Sequence, residues 1–198
     1  MNPIERSKII KKEADEVLKT INLVQHCEKI GNVTYTGSYF LDLMMYPDID
    51  LYLPESNINE ILNLAKNFAQ YESVEIIHFR KGIPGPLRNA LYLSPRVEVG
   101  SWGRPWKIDI WAVNGRIINE KQEELIEIKK SLTNETKKLI LDYKYSVLTE
   151  EGRTPMFSGI FIYRAILNEG MTDYNEITNY LKKNGIKIEK TTKSEINL

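Results

Sequence analysis

The sequence predicts an α+β protein, with a first half that mixes strands and helices and a second half that is entirely helical. Two segments carry the strand prediction, because apolar residues take every second position in residues 48–53 (DIDLYL) and 107–113 (KIDIWAV). That alternation is typical of a strand with one face on the core. After Asn114-Gly115 the apolar residues return at helical spacing. We therefore predict an α/β domain over residues 1–115 and a helical domain over residues 116–198.

The other elements of the first half follow from local patterns. Apolar residues at helical spacing predict a long first helix over residues 3–30. Ser56 or Asn57 would cap another helix, because a short polar side chain can accept a bond from a free backbone N–H. Several glycines and prolines predict a loop over residues 80–86. In all, we predict helices over residues 3–30, 39–45 and 56–71, and strands over residues 33–36, 48–53, 74–79, 89–93, 97–99 and 107–113.

The second half is predicted to form four helices, over residues 117–132, 135–148, 156–168 and 173–184. Capping residues precede three of them, namely Thr133 or Asn134, Thr154 followed by Pro155 at the first helical position, and Thr172. Gly170 and Gly185 would end the last two helices. The polar residues from 189 onward are predicted to be frayed.

The composition argues against several classes of protein. The chain has 198 residues with 27 basic and 27 acidic ones, and this zero net charge argues against long nucleic acid as a partner. A single cysteine, Cys27, excludes an internal disulfide. With only two histidines, a zinc site of cysteine and histidine is not expected. Any bound metal would therefore be held mainly by carboxylates.

The N-terminal segment is charged and amphipathic, and it lacks the apolar stretch of a secretion signal. No window of the sequence approaches the roughly 18 apolar residues that suggest a membrane-spanning helix. We therefore expect a cytoplasmic protein that has no membrane partner.

Three acids lie on the polar faces of the two clearest strands. Asp48 and Asp50 point to one side of the first strand, about 7 Å apart along the backbone, and Asp109 points away from the apolar face of the second. If the strands are neighbours, the carboxylates converge and repel one another unless cations lie between them. Mg²⁺ fits such a set of oxygen ligands. The alternative interpretation is an acidic sheet face that is simply solvated.

Gly37-Ser38 lies ten residues before Asp48, at a predicted strand-to-helix junction where backbone N–H groups can receive a phosphate. Three features therefore follow one another: Gly37-Ser38, then after nine residues Asp48-Ile49-Asp50-Leu51, and later Asp109 between apolar residues. Together they resemble the signature of the polymerase-beta-like nucleotidyltransferase superfamily. Within it, the chain resembles the small bacterial stand-alone members, including the aminoglycoside and lincosamide nucleotidyltransferases. The resemblance covers residues 33–113.

This resemblance implies a mixed, twisted sheet flanked by helices, two Mg²⁺ ions and an NTP substrate such as ATP. It implies that Asp48 and Asp50 hold both ions and that Asp109 binds the catalytic one. Gly37 and Ser38 would bind the triphosphate. The expected reaction transfers a nucleoside monophosphate to an acceptor hydroxyl, which we expect on a small molecule rather than on nucleic acid.

One departure from the family pattern concerns the nine residues before Asp48, which contain no basic residue where many relatives have one. Six basic residues between 80 and 107, against one acid, would compensate. Of these, we assign Arg88, Arg104 and Lys107 to nucleotide binding; ordinary surface charge is the competing interpretation. The departure also leaves an alternative function open, that of a catalytically inactive nucleotidyltransferase fold that serves as a binding or regulatory module.

Overall fold

A five-stranded mixed sheet organises the fold. The computed structural model describes residues 1–82, 87–100 and 102–188. The strands are β1 (Thr34–Thr36), β2 (Asp48–Pro54), β3 (Val74–Lys81), β4 (Leu91–Val97) and β5 (Trp106–Val113). They lie in the order β1-β2-β5-β4-β3, in which β2 and β5 are parallel and the other pairs are antiparallel.

The described residues also form eight helices: α1 (Pro3–Thr20), α2 (Leu23–Cys27), α3 (Gly37–Leu41), α4 (Ile58–Phe68), α5 (Gly115–Ser131), α6 (Asn134–Ser146), α7 (Ser158–Leu167) and α8 (Tyr174–Lys183). The predicted α+β class, a mixed sheet flanked by helices and followed by a helical region, is confirmed. The predicted caps Asn57 and Thr133 each accept a bond from the third residue of their helix. Within the described ranges, no helix has both the length and the apolar character needed to cross a membrane.

Two helices of the first half differ from the prediction. The predicted helix over residues 3–30 is divided into α1 and α2, because Asn22 adopts a left-handed conformation with φ 45°. The short helix predicted over residues 39–45 instead begins at Gly37 and ends at Leu41, since Asp42 is also left-handed. Asparagine and aspartate are the residue types that tolerate this conformation best after glycine.

In place of the two short strands predicted over residues 89–93 and 97–99, one continuous strand, β4, spans Leu91–Val97. A continuous strand is unexpected here, because Pro95 lacks a backbone N–H and proline is rare inside sheets. In the structure Pro95 lies opposite Ile77 of β3. The predicted loop over residues 80–86 also begins later, because Arg80 and Lys81 belong to β3; residues 83–86 lie outside the described part of the chain.

The last two helices begin later than predicted. Helix α7 starts at Ser158 rather than beside Pro155, and the residue before it, Phe157, is left-handed with φ 61°. Asp173, not Thr172, caps α8. Gly170 and Gly185 follow the two helices with positive φ, as predicted for helix ends. The polar tail from residue 189 lies outside the described ranges.

Two hydrophobic cores lie on either side of a connecting segment. The first packs α1, α2 and α4 against the apolar sheet face, which includes Ile49, Leu51 and Ile110. The second lies among α5 to α8 and also contains Leu41, Leu43 and Met45 from the first half. The segment between α3 and β2 therefore joins the sheet to the helical half. The proposed boundary at residue 115 stays a prediction.

Candidate active site

The three predicted acids lie together on the sheet. In the parallel pair of β2 and β5, Asp50 is the register partner of Asp109, and Asp48 is two residues earlier on β2. One carboxylate oxygen of each of the three residues lies within 4.8 Å of the other two. Ile49 and Leu51 are fully buried on the opposite face of β2. Because strand residues alternate between faces, burying those apolar side chains forces both aspartates of β2 to the other side.

A lysine lies among the three carboxylates. Lys107 is the register partner of Asp48 and is two residues before Asp109 on the same strand face. Its Nζ donates to Asp109 Oδ2 and lies 3.4 Å from Asp48 Oδ1. Asp48 Oδ1 is buried and has no hydrogen-bond partner among the described residues. The Lys107 ammonium group thus bonds to Asp109 and lies near Asp48 Oδ1 without forming a hydrogen bond to it.

Strand β4 holds Asp109 in place from the other side. The hydroxyl groups of Tyr92 and Ser94 both donate to Asp109 Oδ1, over 2.7 and 2.8 Å. Arg96 donates in turn to the Ser94 hydroxyl over 2.6 Å and lies 4.0 Å from the same carboxylate oxygen. These bonds fix the orientation of Asp109 and occupy Oδ1, so that Oδ2 is the oxygen left for a ligand in the cleft.

Burial makes Asp48 and Asp50 hard to ionise, because it raises the pKa of both carboxyl groups. Burial, and then the Asp48 and Asp109 carboxylates, raise the pKa of Asp50 to about 8. Burial also raises the pKa of Asp48 to about 6, against the opposing attraction of Lys107. Burial lowers the pKa of Lys107, but the carboxylates of Asp48 and Asp109 outweigh that effect and raise it overall. Lys107 therefore offsets only part of the electrostatic repulsion among these acids.

Gly37 lies directly against this cluster. Its φ is +59°, and a Cβ at this position would lie 2.7 Å from Asp50 Oδ2. Any other L-amino acid would therefore be strained in its backbone and would collide with the carboxylate. Ser38 follows at the start of α3 and lines the same cleft. The structure thus brings the predicted Gly37-Ser38 pair to the acids.

The acids form part of a cleft with a volume of about 590 Å³. The sheet supplies one side of it, and residues of α5, α6, α7 and the segment before α7 supply the other. Its lining contains the three acids and six basic residues: Arg96, Arg104, Lys107, Lys121, Lys144 and Arg153. A cleft with this excess of positive side chains suits an anionic ligand.

Lys144 of α6 is the least expected of these basic residues, because it is only 2% exposed. Its Nζ donates to the backbone carbonyl of Leu43 and lies 5.8 Å from the centre of the Tyr163 ring. Burial lowers its pKa to about 7, although Asp48 and Asp50 counteract the shift. The prediction missed Lys144, yet it follows the buried Ile140 by four residues, which places it on the apolar face of its helix.

The basic residues assigned to nucleotide binding are not all in the cleft. Arg104 and Lys107 line it, and Arg104 Nε is buried without a hydrogen-bond partner among the described residues. Arg88 is exposed in the turn before β4 and is not part of the lining. Its assignment stays a prediction.

The carboxylate set fits a hard divalent cation. Three carboxylates converge, one of their buried oxygens lacks a partner, and two of the acids are driven toward protonation by their surroundings. Mg²⁺ prefers oxygen ligands, is commonly bound through a few carboxylates and completes its shell with water or phosphate. Asp48, Asp50 and Asp109 are the residues that would hold it.

No model of a known protein family matches the sequence, and no curated protein matches it. Among solved structures, the chain is similar to the Cid1 poly(U) polymerase with Mg and 3'-dATP bound, at 16% identity and a TM-score of 0.48 over 69% of this chain and 42% of that one. It is similar to a cytoplasmic RNA terminal U-transferase at 16% identity and a TM-score of 0.45, over 71% and 46% of the two chains. A GLD-2/RNP-8 complex matches at 15% identity and a TM-score of 0.44, over 97% and 78%. The chain spans less than half the length of the first two proteins.

Proposed function

We propose that the protein is a Mg²⁺-dependent nucleotidyltransferase, which moves a nucleoside monophosphate from an NTP to an acceptor hydroxyl. One observation carries the proposal. Three carboxylates from two parallel neighbouring strands converge to within 4.8 Å in a cleft whose other charged residues are six bases. A metal ion attracts phosphate oxygens to the acids, and the bases attract the rest of the triphosphate. The resemblance of the Gly-Ser and Asp-x-Asp motifs to the superfamily supports the same reaction.

Asp48, Asp50 and Asp109 would hold two Mg²⁺ ions. When bound there, the ions neutralise charge on the departing pyrophosphate and lower the pKa of the attacking hydroxyl. The protein's contribution is geometric, since β4 fixes Asp109 through Tyr92 and Ser94. Because such ligands are already in position, the site needs little reorganisation during the reaction.

The nucleotide would lie between the acids and the helical side of the cleft. Gly37 leaves room for a close approach beside Asp50, and the Ser38 hydroxyl lines the same wall. Lys144, which is buried, and Arg104, which is half-buried, provide basic groups that can bind the triphosphate. These residues supply the charge that the sequence lacks between Ser38 and Asp48.

In the reaction, the acceptor oxygen forms a bond to the α-phosphorus while the bond from that phosphorus to the bridging oxygen breaks. The β- and γ-phosphates leave together as pyrophosphate. The proton of the acceptor hydroxyl passes to water, because Asp109 Oδ1 already accepts two hydrogen bonds and Asp109 Oδ2 is the oxygen that would hold the ion.

We propose a hydroxyl of a small molecule as the acceptor. The cleft volume of about 590 Å³ lies in the range typical of small-molecule sites, roughly 300–1,000 Å³. The antibiotic nucleotidyltransferases that the motifs resemble favour the same choice. The 3'-hydroxyl of an RNA is the second acceptor to test, because six basic residues in one cleft also suit a polyanion.

The test measures two products from each of the four NTPs, in Mg²⁺ and in EDTA: the released pyrophosphate, and the acceptor that receives a label placed at the α-phosphate. The acceptors are a panel of aminoglycosides and lincosamides, a short RNA and a metabolite extract. The proposal expects Mg²⁺-dependent transfer of label from at least one NTP to at least one acceptor. Mg²⁺-dependent NTP binding without turnover with any of the acceptors would instead favour the catalytically inactive binding module.

A further inference from the structure

We infer that Lys107 is the resident counter-ion of the acidic cluster, and that a divalent metal ion must displace its ammonium group to bind there. The inference rests on the proposed metal site and assigns Lys107 a role beyond it. Lys107 is placed by the sheet register, opposite Asp48 and two residues before Asp109. The backbone therefore directs its side chain to the same face as all three acids.

The contacts of Lys107 are those that a metal ion would need. Its Nζ bonds to Asp109 Oδ2, the oxygen that Tyr92 and Ser94 leave unoccupied. It also lies 3.4 Å from Asp48 Oδ1, a buried oxygen without a hydrogen-bond partner in the described part of the chain. Mg²⁺ binds its oxygens at about 2.0–2.1 Å. An ammonium group and a divalent cation therefore exclude each other at these two oxygens.

The charge balance of the cluster gives the ammonium group a function in the metal-free protein. Three carboxylates within 4.8 Å repel one another. Both the Lys107 and the Asp109 side chains are largely buried, at 27% and 11% exposure, so solvent screens the repulsion poorly. Lys107 offsets part of it and keeps the acids in place. The same attraction opposes the entry of a metal ion, since binding equilibria that share a site are reciprocal.

A titration with Mn²⁺ alone tests the displacement without any turnover. The variants are Lys107→Met and Lys107→Gln, which remove the charge, and Lys107→Arg, which keeps it. The inference expects the two neutral variants to bind Mn²⁺ about tenfold more tightly than the wild type, within the usual range of couplings between sites. It also expects them to unfold at a lower temperature in EDTA, because the acids have lost their counter-ion. Lys107→Arg should bind the ion no more tightly than the wild type.

Lys11→Met is the matched control. Lys11 has the same side-chain exposure, 27%, and lies 3.4 Å from one carboxylate oxygen, that of Asp15. Its removal changes the net charge equally but should leave the affinity for Mn²⁺ unchanged. An equal gain in Mn²⁺ affinity in Lys11→Met would show that the effect comes from the overall charge of the protein. That result would overturn the inference.

A second measurement uses the wild type, in case a neutral variant does not fold. Lysine acetylation by an N-hydroxysuccinimide ester, read by mass spectrometry, should increase at Lys107 when Mn²⁺ is added and stay constant at Lys11. Wild-type protein that binds Mn²⁺ while Lys107→Met and Lys107→Gln bind it equally or more weakly would contradict the inference alone. A wild type that binds no divalent ion would contradict the metal site and the proposed function together.

Discussion

The two sides of the cleft obtain their charged residues in different ways. On the sheet side, Asp48, Asp50, Lys107 and Asp109 face the cleft because fully buried isoleucine and leucine side chains occupy the alternate positions. On the helical side, Lys144 reaches the cleft from the apolar face of α6, where its ammonium group is bonded to the Leu43 carbonyl. Local alternation thus positions the charged side chains on the sheet side, whereas tertiary packing positions those on the helical side.

This difference indicates a division of roles. The sheet side has closely spaced carboxylates whose mutual repulsion a cation or a proton relieves. The helical side has basic and aromatic groups that suit an anionic ligand. We expect substitutions on the sheet side to abolish chemistry, and substitutions on the helical side to weaken nucleotide binding.

The largest effect is expected from neutralising the acids. Asp50→Asn or Asp109→Asn should reduce kcat for NTP turnover by at least about 10³-fold, or about 4 kcal/mol, because a metal ligand is lost. At the same time Asp50→Asn should raise the melting temperature in EDTA, since it removes the most strongly repelled carboxylate. Pyrophosphate release and thermal unfolding measure the two effects.

Asp42→Asn is the control for these variants. Asp42 lies at the end of α3, outside the cleft lining, in a left-handed conformation that asparagine also tolerates. It should retain full activity. An Asp50→Asn enzyme that kept wild-type turnover would show that the sheet side does not hold the metal.

A smaller effect is expected on the helical side. Lys144→Met should lower kcat/KM for the NTP by about 10–100-fold, the value of one charge-assisted hydrogen bond of about 1.5–3 kcal/mol. Most of the loss should be in KM, because Lys144 is assigned to binding and not to the reacting atoms. Steady-state kinetics with varied NTP would show this.

The matched control for Lys144 is Lys138→Met on the same helix. The Lys138 side chain is 63% exposed and paired with Asp142, so its removal should leave both kinetic constants unchanged. If Lys144→Met lowered kcat as strongly as the aspartate variants do, the division between the two sides of the cleft would fail.

A third effect concerns the contact of Gly37 with Asp50. Gly37→Ala should cost about 1–2 kcal/mol through its left-handed backbone, or roughly 2–8 °C in melting temperature for a protein of this size. Its methyl group should also displace the Asp50 carboxylate and weaken Mn²⁺ binding. Gly170→Ala is the control, because Gly170 has φ +67° but no atom of the described residues lies within 4 Å of its Cβ position. Equal losses of metal affinity in both variants would contradict the contact.

The sheet side of the cleft could be predicted from the sequence better than the helical side. The α+β class and the convergence of the three acids follow from alternation, which depends only on neighbouring residues. Tyr92 and Ser94 were missed as partners of Asp109, because their contacts depend on the pairing of β4 with β5, which the local sequence pattern does not record. Lys144 was missed although its position four residues after Ile140 places it on the apolar face of α6, because its contact with Leu43 joins segments that are distant in the sequence.

The smallest effect expected is a pH dependence of stability in EDTA. The folded pKa values of Asp48 and Asp50, about 6 and about 8, lie above the ordinary value of 3.8. The folded state therefore binds more protons than the unfolded state, and the stability contributed by protonation is lost as pH rises through these values. The melting temperature should therefore fall as the pH rises from about 5 to about 8. Asp50→Asn should flatten this profile, and an unchanged slope in that variant would contradict the assignment.

Calorimetric titration of the four NTPs, with and without Mg²⁺, tests the central claim most directly. The account predicts that at least one NTP binds in the presence of Mg²⁺, that EDTA removes the binding, and that Asp48→Ala and Asp50→Ala abolish it. If none of the four NTPs shows Mg²⁺-dependent binding to the wild-type protein, the acidic cluster is not a nucleotide–metal site and the proposed function is wrong.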